Sequence, residues 1–453
     1  MNTHSDNPVA GRPKLFQLLL LVLVIASGVG SDSSKAANPQ QSLTLMNAYE
    51  MAQGHDAKIA AARAERDAGR EKLPQGRALL MPSVTLDGSY YQNSRQITAT
   101  DDYNSTGYGV SLSQPLYRRQ NLAAYRQSRL QVANALDAYT LAEHSLLLRT
   151  ATAYFDVLIA QESLSAAEAK TRSTQRSLEQ ATRRYEVGRA IITEIDEARA
   201  RYDLARAEQI SATNDLNIKK EALYKVIGPT NRPLAPVKKG IPLVDLKPDN
   251  LAAWEELAKA NSVSLRIARN NLELAIQEVS RNRGEHYPTL DLIAGYHMDN
   301  TVGLSTGDAD TTTTQVGVRF QLPLYAGGGT NSRVREALAN KEKSVQELRD
   351  AEEQSLLETR QAYMSVTSGL LRVQALEQAL RSSESSLDAT QKGFQVGKRT
   401  LLDVLNAQQQ LFETQRDLAS AKYSYLNSVM QLKAAAGVVT VDDLQQIARL
   451  ISQ

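Results

Sequence analysis

Residues 394–432 read FQVGKRTLLDVLNAQQQLFETQRDLASAKYSYLNSVMQL, a short turn followed by a long periodic run. Apolar side chains recur in this run at intervals of seven residues, at Val404, Leu411, Leu418, Tyr425 and Leu432. Such a repeat holds one stripe of a helix against a partner helix and imposes a left-handed supercoil. Because Gly397 is of the residue type that most often ends a helix, the segment is predicted to be the tip and the returning arm of a long helical hairpin.

The same pattern occurs in the first half of the chain, where YEVGR at residues 185–189 corresponds to residues 394–398. The five heptad positions are occupied there by Ile195, Tyr202, Gln209, Leu216 and Leu223, of which only Gln209 is strongly polar. A repeat of this size indicates an internal duplication and has to be identified before any local motif is interpreted. The sequence therefore predicts two copies of one elongated unit, residues 37–228 and 250–437, and a C-terminal segment at 438–453.

Composition narrows the class of protein. The 453 residues include 52 Lys and Arg against 50 Asp and Glu, so the net charge of +2 gives no bulk electrostatic reason to expect a nucleic-acid partner. Cysteine is absent, which excludes thiol catalysis, Cys-based zinc sites and disulfides, and the sequence predicts no lipid-anchored N-terminal Cys. The five histidines lack metal-ligand spacing, so we expect neither an enzyme site, nor a metal site, nor a cofactor.

The first residues have the order of a secretory signal peptide. Basic Arg12 and Lys14 precede an apolar run at residues 15–25, and small and polar residues follow through Ala36. The run is too short, and wrongly flanked, for a membrane-spanning helix. We therefore expect residues 1–36 to be a signal peptide that is cleaved near Ala36; an uncleaved N-terminal anchor is the alternative. No other apolar stretch reaches the ~18 residues of a spanning helix.

Residues 43–73 are Ala-rich and charged, with helical spacing of their apolar side chains. Proline removes a backbone donor and disfavours helix in the residue before it, so this helix is expected to end at Pro74 and Pro82. After Pro82 apolar side chains alternate with polar ones, which predicts a strand with one apolar face. A second alternating run completes a β-hairpin over about 82–117, with a polar loop at 93–105.

The second half of the chain repeats this hairpin over about 288–325, with an Asp-, Gly- and Thr-rich loop at 299–314. Each hairpin is followed by a long stretch without proline, and one arm of roughly 65 residues gives a helix of about 100 Å. The tips of the two helical hairpins are predicted at about 187–190 and 396–399. Residues 229–249 between the halves hold five prolines and are predicted to be a semi-rigid connector.

The number of strands limits where the β-hairpins can lie. Four amphipathic strands cannot close a barrel, membrane barrels begin at about eight strands, and a bilayer core accepts only helices or closed barrels. If these strands span a membrane, several chains must share one barrel. The alternative is an exported coiled-coil protein, a periplasmic adaptor or stalk, whose strands form a small soluble sheet. Duplicated amphipathic hairpins with polar loops favour the membrane.

Six short motifs lie at the strand ends, at the helical tips and within the long helices: QPLY (114–117), LPLYAGG (322–328), YEVG (185–188), FQVG (394–397), ATAYF (151–155) and SSLDA (385–389). Together with the duplicated hairpins, these motifs resemble the TolC family of outer-membrane channels over essentially the whole chain beyond the signal peptide. The resemblance implies a mostly α protomer with a transmembrane β part. It also implies a homotrimer in which one β-barrel of twelve strands is continued by a periplasmic α-helical barrel.

The function implied by this resemblance is that of an exit duct in the outer membrane of a Gram-negative bacterium. The duct serves a tripartite efflux pump or a type I secretion system, as a passive conduit that is gated at its periplasmic tips. The implied partners are a periplasmic adaptor (membrane fusion) protein, an inner-membrane ABC exporter or proton-driven pump, and outer-membrane lipid. No cofactor is implied.

In the resembled family acidic side chains narrow the tunnel at the helical tips, and the matching positions here are Asp403 and Asn406. Because the second position is typically acidic in the family, Asn406 halves the expected charge, and a trimer presents three carboxylates instead of six. That is a weaker site for cations, including divalent cations that block at Asp403. Thr400 and Asp403 also have the spacing of a capping box, a structural interpretation that is compatible with the aperture role.

The resemblance further implies a latch that holds the tips closed. Arg399 matches the family's tip arginine, and Thr193 and Glu194 match its partners on the neighbouring hairpin. Phe394 stands in place of a tyrosine, so that one hydroxyl contact is lost. Since charge-assisted hydrogen bonds are the stronger kind, the closed state is expected to depend mainly on Arg399 and Glu194. The expected adaptor contacts are the turn residues Val187, Gly188, Val396 and Gly397.

Overall fold

The computed structural model of the chain describes residues 42–96, 100–235, 246–303 and 307–452. The predicted signal peptide and part of the predicted connector lie outside these residues. Within them the chain forms ten helices and four strands. In chain order these are α1 (Leu45–His55), α2 (Ala57–Arg70), α3 (Lys72–Ala78), β1 (Ser83–Gln96), β2 (Thr100–Tyr117), α4 (Arg119–Glu186), α5 (Ile192–Ile227), α6 (Leu251–Asn261), α7 (Val263–Gly284), β3 (Thr289–Val302), β4 (Ala309–Gln321), α8 (Gly329–Gln395), α9 (Leu401–Ala435) and α10 (Val441–Ser452).

The four strands form one antiparallel sheet in the order β1-β2-β3-β4. Leu86 lies opposite Val110, Val110 lies opposite Tyr296, and Ala294 lies opposite Val316. Side chains alternate between the two faces of a strand, and directly opposed residues of neighbouring strands share a face. These residues therefore form a single apolar face that crosses all four strands.

The apolar face of the sheet is exposed. Leu86, Val316 and Phe320 are 77%, 76% and 64% exposed. The opposite face carries small and polar side chains; above Gly109, for example, the side chains of Asp87 and His297 occupy the space that a Cβ would need. Among the described residues β1 and β4 each pair on one side only. An amphipathic sheet with two unpaired edges is a surface that another chain can complete.

The strands are longer than the alternating runs predict. Most of the expected loop at 93–105 continues the ladder, with Asn93 opposite Tyr103. In the second hairpin β3 extends to Val302 and β4 begins at Ala309, both inside the expected loop at 299–314. The loop predictions are wrong at these positions. Backbone pairing continues beyond the apolar band, where polar side chains on both faces remove the alternation on which the prediction depended.

The helical region before the sheet breaks at a different place from the prediction. Asp56 caps α2, and α2 is followed at Glu71 by the short α3, which contains Pro74 in its first turn. Proline is tolerated there because N–H groups in the first turn of a helix have no partner within that helix. The prediction that Pro74 ends the helix is wrong, since the break precedes it at Glu71.

Two very long helices run from the sheet to the tips. α4 has 68 residues and α8 has 67, which corresponds to about 100 Å. The returning arms α5 and α9 have only 36 and 35 residues, so they cover the half of each long helix that lies nearer the tips. Nearer the sheet α4 packs against α2, α3 and α7, and α8 packs against α6 and α7. Each long helix thus packs against a returning arm in the half nearer the tips and against shorter helices in the half nearer the sheet.

Most of the buried apolar side chains among the described residues belong to one of two separate clusters. The central cluster joins α1, α10, the middle of α4 and the later parts of α5 and α9, and it includes Tyr154, Phe155 and Tyr425. The tip cluster lies near the turns and consists of five buried side chains, with Leu178 and Phe394 packed against them: Ala181, Ile195, Ala198, Leu401 and Leu405. The two helical hairpins are therefore joined both at mid-length and at the tips.

Candidate functional site at the helical tips

The first helical hairpin turns through a Schellman motif, in which a residue with positive φ follows the end of the helix. The N–H of Gly188 donates to the carbonyl of Tyr185 at 2.9 Å, and the N–H of Arg189 donates to the carbonyl of Arg184 at 2.7 Å. Gly188 has a φ of 69°, a value that favours glycine because glycine has no Cβ. The motif satisfies the last carbonyls of α4 and reverses the chain within residues 187–191.

The second helical hairpin repeats this geometry at Gly397, whose φ is 77°. The N–H of Gly397 donates to the carbonyl of Phe394 at 3.0 Å. Both turns expose apolar side chains, with Val187 68% and Val396 70% exposed. The predicted adaptor-contact residues thus lie at the surface of the tips, in a position where a partner protein can cover them.

Asp403 lies in the first turn of α9 and closes a capping box with Thr400. The N–H of Thr400 donates to Oδ2 of Asp403 at 2.9 Å, and the N–H of Asp403 donates to Oγ1 of Thr400 at 3.2 Å. The structural interpretation of this pair is therefore confirmed. The Thr400 amide, the Thr400 hydroxyl and the Arg399 cation lower the pKa of Asp403, because they stabilise the carboxylate. Asp403 is therefore ionised at neutral pH.

Asn406, the second predicted aperture residue, is exposed on α9 and is bonded to the other helical hairpin. Arg201 of α5 donates from Nη2 to Oδ1 of Asn406 at 3.0 Å, and from Nη1 to Oε1 of Gln409 at 2.8 Å. Asn406 and Gln409 are three residues apart, so they share one face of α9. One guanidinium group thus spans two side chains of the opposing helix.

The structure brings two of the predicted latch residues together through a residue that the sequence analysis did not identify. Nη1 of Arg184 lies 3.5 Å from Oε2 of Glu194. The same guanidinium group lies over the ring of Phe394, 4.7 Å from its centroid, within the range of a cation–π contact. Its Nη2 donates to the carbonyl of Arg189 at 3.2 Å. Arg184 therefore links Glu194 of one hairpin with Phe394 of the other.

The other two predicted latch residues lie apart from this contact. Arg399 and Thr193 are exposed, and the aliphatic part of Arg399 lies against Gly393. Within the described residues of the single chain, no ion pair joins Arg399 to Glu194. A latch between Arg399 and the hairpin of a neighbouring copy stays a prediction.

Arg184 and Arg201 were both missed at the level of sequence. Arg184 lies in the last turn of α4, where a cation is unremarkable because it complements the helix macrodipole. For Arg201 a signal was present: it precedes the heptad residue Tyr202, and long charged side chains beside an apolar seam commonly bond across it. Spacing within α5 does not show which side chain of α9 lies opposite.

No three His, Asp or Glu side chains converge as metal ligands in the parts of the chain that the structure describes. Over the same residues, no helix combines the length and the apolar character that crossing a membrane requires. What the tips do present is two carboxylates, two bridging guanidinium groups and two exposed valines, at Asp403, Glu194, Arg184, Arg201, Val187 and Val396.

The two halves of the chain match one family model. The model of the outer membrane efflux protein family matches residues 48–229 and 254–438. The chain belongs to this family. TolC, an outer membrane protein of Escherichia coli (strain K12), is 31% identical over 439 residues, which cover 94% of this chain and 88% of that protein. The alkaline protease secretion protein AprF of Pseudomonas aeruginosa is 30% identical over 417 residues, which cover 90% of this chain and 87% of that protein.

A solved outer membrane protein has the same fold. The crystal structure of the outer membrane protein VceC from Vibrio cholerae aligns with a TM-score of 0.74 at 21% identity, over 87% of this chain and 96% of that one. The mostly α protomer with an antiparallel β part, expected from the sequence, is therefore confirmed as the fold of an outer membrane efflux protein.

Membership of the outer membrane efflux protein family makes the chain an outer-membrane channel for efflux or secretion in a Gram-negative bacterium. The resemblance drawn from the sequence and the expected location are confirmed. The alternative, an exported coiled-coil stalk or adaptor, is not favoured, because that class of protein does not account for a family match that spans both repeats. Proteins of the outer membrane efflux protein family are transport conduits.

Proposed function

We propose that three copies of the chain assemble into one duct, with their sheets closed into a single barrel of twelve strands. The observation that carries this proposal is the four-stranded sheet, with β1 and β4 unpaired at its edges and an exposed apolar face. β1 has 14 residues and β4 has 13, so these edges of neighbouring copies are matched in length. Both strands are longer than the ~9–11 residues with which a tilted strand crosses a bilayer. Closure removes every edge and turns the apolar face towards lipid.

The duct is a passive conduit whose gate lies at the helical tips, and no energy-converting step is assigned to this chain. A periplasmic adaptor protein docks at the tips, and an inner-membrane ABC exporter or proton-driven pump supplies the energy. The exposed Val187 and Val396 on matched turns support docking at this end. The small size of the tip cluster supports opening there, because few buried side chains have to separate.

Asp403 forms the ring that lines the closed aperture, and Asn406 adds no carboxylate to it. The proposal is supported by the position of Asp403 beside the turn and by the lowered pKa, which keeps its carboxylate charged. Three carboxylates in a narrow opening attract cations and bind a divalent cation that blocks the duct. In the same closed state Arg399 of one copy bonds Glu194 and Thr193 of the neighbouring hairpin.

The test is the conductance of the purified, detergent-extracted protein in a planar bilayer, with its mass measured on a native gel. We expect a trimer with small, cation-preferring channels, and block by divalent cations that is lost in Asp403→Asn. The matched control is Asp388→Asn, which removes an exposed carboxylate of α8 that bonds Lys392 at 2.6 Å. A monomer without conductance contradicts the duct. Block that persists in Asp403→Asn contradicts the aperture.

A further inference from the structure

Arg201 introduces a positive charge next to the aperture proposed above. Its guanidinium group bonds the amide oxygens of Asn406 and Gln409, at 3.0 Å and 2.8 Å. Both partners are neutral, and among the described residues no carboxylate lies within ion-pairing distance of Arg201. Arginine is protonated at every physiological pH. The contact therefore fixes the guanidinium group in place without neutralising it.

A carboxylate at position 406 would give this part of α9 a negative charge. With Asn406 bonded to Arg201, the charge at the same place is positive. Asn406 contributes an amide oxygen, and its exposed position accepts a bond from a cation that belongs to the other helical hairpin. Asp403 lies three residues earlier on the same face of α9. The guanidinium group of Arg201 is therefore held about one helical turn beyond Asp403, on the side away from the tip.

We propose that Arg201 is a specificity-determining residue of the channel, which sets its ion preference by placing a second, cationic ring behind the Asp403 ring. The inference rests on the proposed aperture at the tips. Charges of opposite sign within a few ångströms of one permeation path oppose each other. Arg201 lowers the preference for cations that Asp403 creates, and it supplies a binding point for anionic groups of a passing substrate.

The experiment measures the reversal potential of the full-length protein in planar bilayers that separate two KCl concentrations. The Arg201→Gln variant keeps a long polar side chain and loses the charge, so the K⁺/Cl⁻ permeability ratio is expected to rise by about twofold or more. The Asp403→Asn variant is expected to lower the same ratio. Arg199→Gln is the control, because Arg199 is exposed and two residues away, on a different side of α5.

A second pair of variants separates the charge of Arg201 from its role as a tie between helices. Lysine keeps the charge but cannot form the two-pronged contact, so Arg201→Lys is expected to stay near the wild-type ratio even if its conductance changes. Asn406→Asp is expected to raise the ratio about as much as Arg201→Gln does, because the new carboxylate neutralises the guanidinium group of Arg201. In the Arg201→Gln background it raises the ratio further.

The outcomes separate this inference from the proposal on which it rests. If Asp403→Asn lowers the ratio and Arg201→Gln leaves it unchanged, the aperture stands and the cationic ring is overturned. Equal shifts in Arg201→Lys and Arg201→Gln also overturn it, because geometry and not charge is then responsible. If Asp403→Asn has no effect on selectivity either, the aperture itself is misplaced and the inference fails with it.

Discussion

The central cluster and the tip cluster join the same two helical hairpins but differ in what they bury. In the central cluster the ring of Phe155 stacks on that of Tyr423 at 6.1 Å and meets that of Tyr154 edge-on at 6.5 Å. The tip cluster buries alanines, leucines and one isoleucine. Since hydrophobic stabilisation scales with the apolar area buried, the hairpins separate at the tips at a much lower cost than in the middle.

The polar contacts are also more deeply buried in the central cluster than at the tips. In the middle, Asp56 is buried against Arg149, and the hydroxyl of Tyr154 donates to the carbonyl of Leu43 at 3.1 Å. Burial raises the pKa of Tyr154 to about 12. At the tips, the ion pair of Arg184 with Glu194 spans 3.5 Å without a hydrogen bond, and the hydrogen bond of Arg201 to the neutral Asn406 is open to water, so each contributes little. The comparison indicates a fixed middle and tips whose contacts can be exchanged.

The largest expected effect is in the middle of the molecule. Phe155→Ala removes a side chain that is 2% exposed and leaves a cavity beside Tyr423. We expect the free energy of unfolding to fall by about 3–5 kcal/mol, as measured by denaturant titration of the detergent-solubilised protein. Leu204→Ala is the control, because Leu204 is 61% exposed. Equal losses in the two variants would contradict the contrast between buried middle and exposed surface.

The buried carboxylate of the middle region gives a prediction about pH. Burial alone raises the pKa of Asp56, but hydrogen bonds from the Ile59 amide and the Arg149 guanidinium outweigh it, so that the pKa is lowered. Its contribution to stability is therefore complete above the ordinary Asp value of about 3.9 and is lost as the pH falls through the lowered value. At pH 7 we expect Asp56→Asn to lower the free energy of unfolding by ~2 kcal/mol.

The check on this prediction is the pH dependence of the difference between wild type and Asp56→Asn. The free energy of unfolding of the two proteins is measured at a series of pH values from neutral down to about pH 3. The difference between them is expected to narrow below about pH 4. A difference in free energy of unfolding that stays constant over this range would show that the variant acts through packing alone.

At the tips we expect a smaller effect on stability and a visible effect on gating. Arg184→Gln removes both the cation–π contact with Phe394 and the ion pair with Glu194. A loss of ~1 kcal/mol changes an equilibrium by about fivefold, so openings in planar bilayers should become correspondingly more frequent while global unfolding is nearly unchanged. Arg183→Gln, at an exposed neighbouring position, is the control. If both variants gate like the wild type, the Arg184 bridge does not hold the tips.

The smallest effect is expected from the exposed Arg399. Arg399→Ala should raise the single-channel conductance, because it removes the proposed bond to Glu194 of the neighbouring hairpin; solvent-exposed ion pairs are worth about 0–1 kcal/mol. Lys398→Ala controls for the loss of a nearby cation. In the double variant with Arg184→Gln the two effects are not expected to add, because both arginines bond Glu194. An unchanged conductance in Arg399→Ala would exclude the latch.

The periodicity of apolar residues predicted the helices and strands of this fold. It did not predict where the strands end, because polar residues there interrupt the pattern. The apolar face through Leu86, Val110 and Val316 follows from alternation, and the packed stripe of α9 follows from the heptads that end at Leu432. The ends of the strands did not follow, because residues such as Asn93 pair through their backbone whatever their side chains are.

At the candidate site, short-range chemistry was predictable and cross-helix chemistry was not. The capping box of Thr400 and Asp403 depends on residues three apart in sequence, and such spacing is visible in any chain. The Arg201 contact with Asn406 joins residues from the two halves of the duplication. It depends on how α5 and α9 are set against each other, which the tertiary packing determines.

The unbroken length of α4 has a mechanical consequence. Its 68 residues contain neither Gly nor Pro, the residues at which helices usually kink. The helix therefore acts as a rigid strut, and force applied at one end is transmitted to the other without a hinge to absorb it. Over ~100 Å, a tilt of about 3° displaces the far end by ~5 Å. A lever of this length converts a small rotation near the sheet into a change at the tips as large as the width of a side chain.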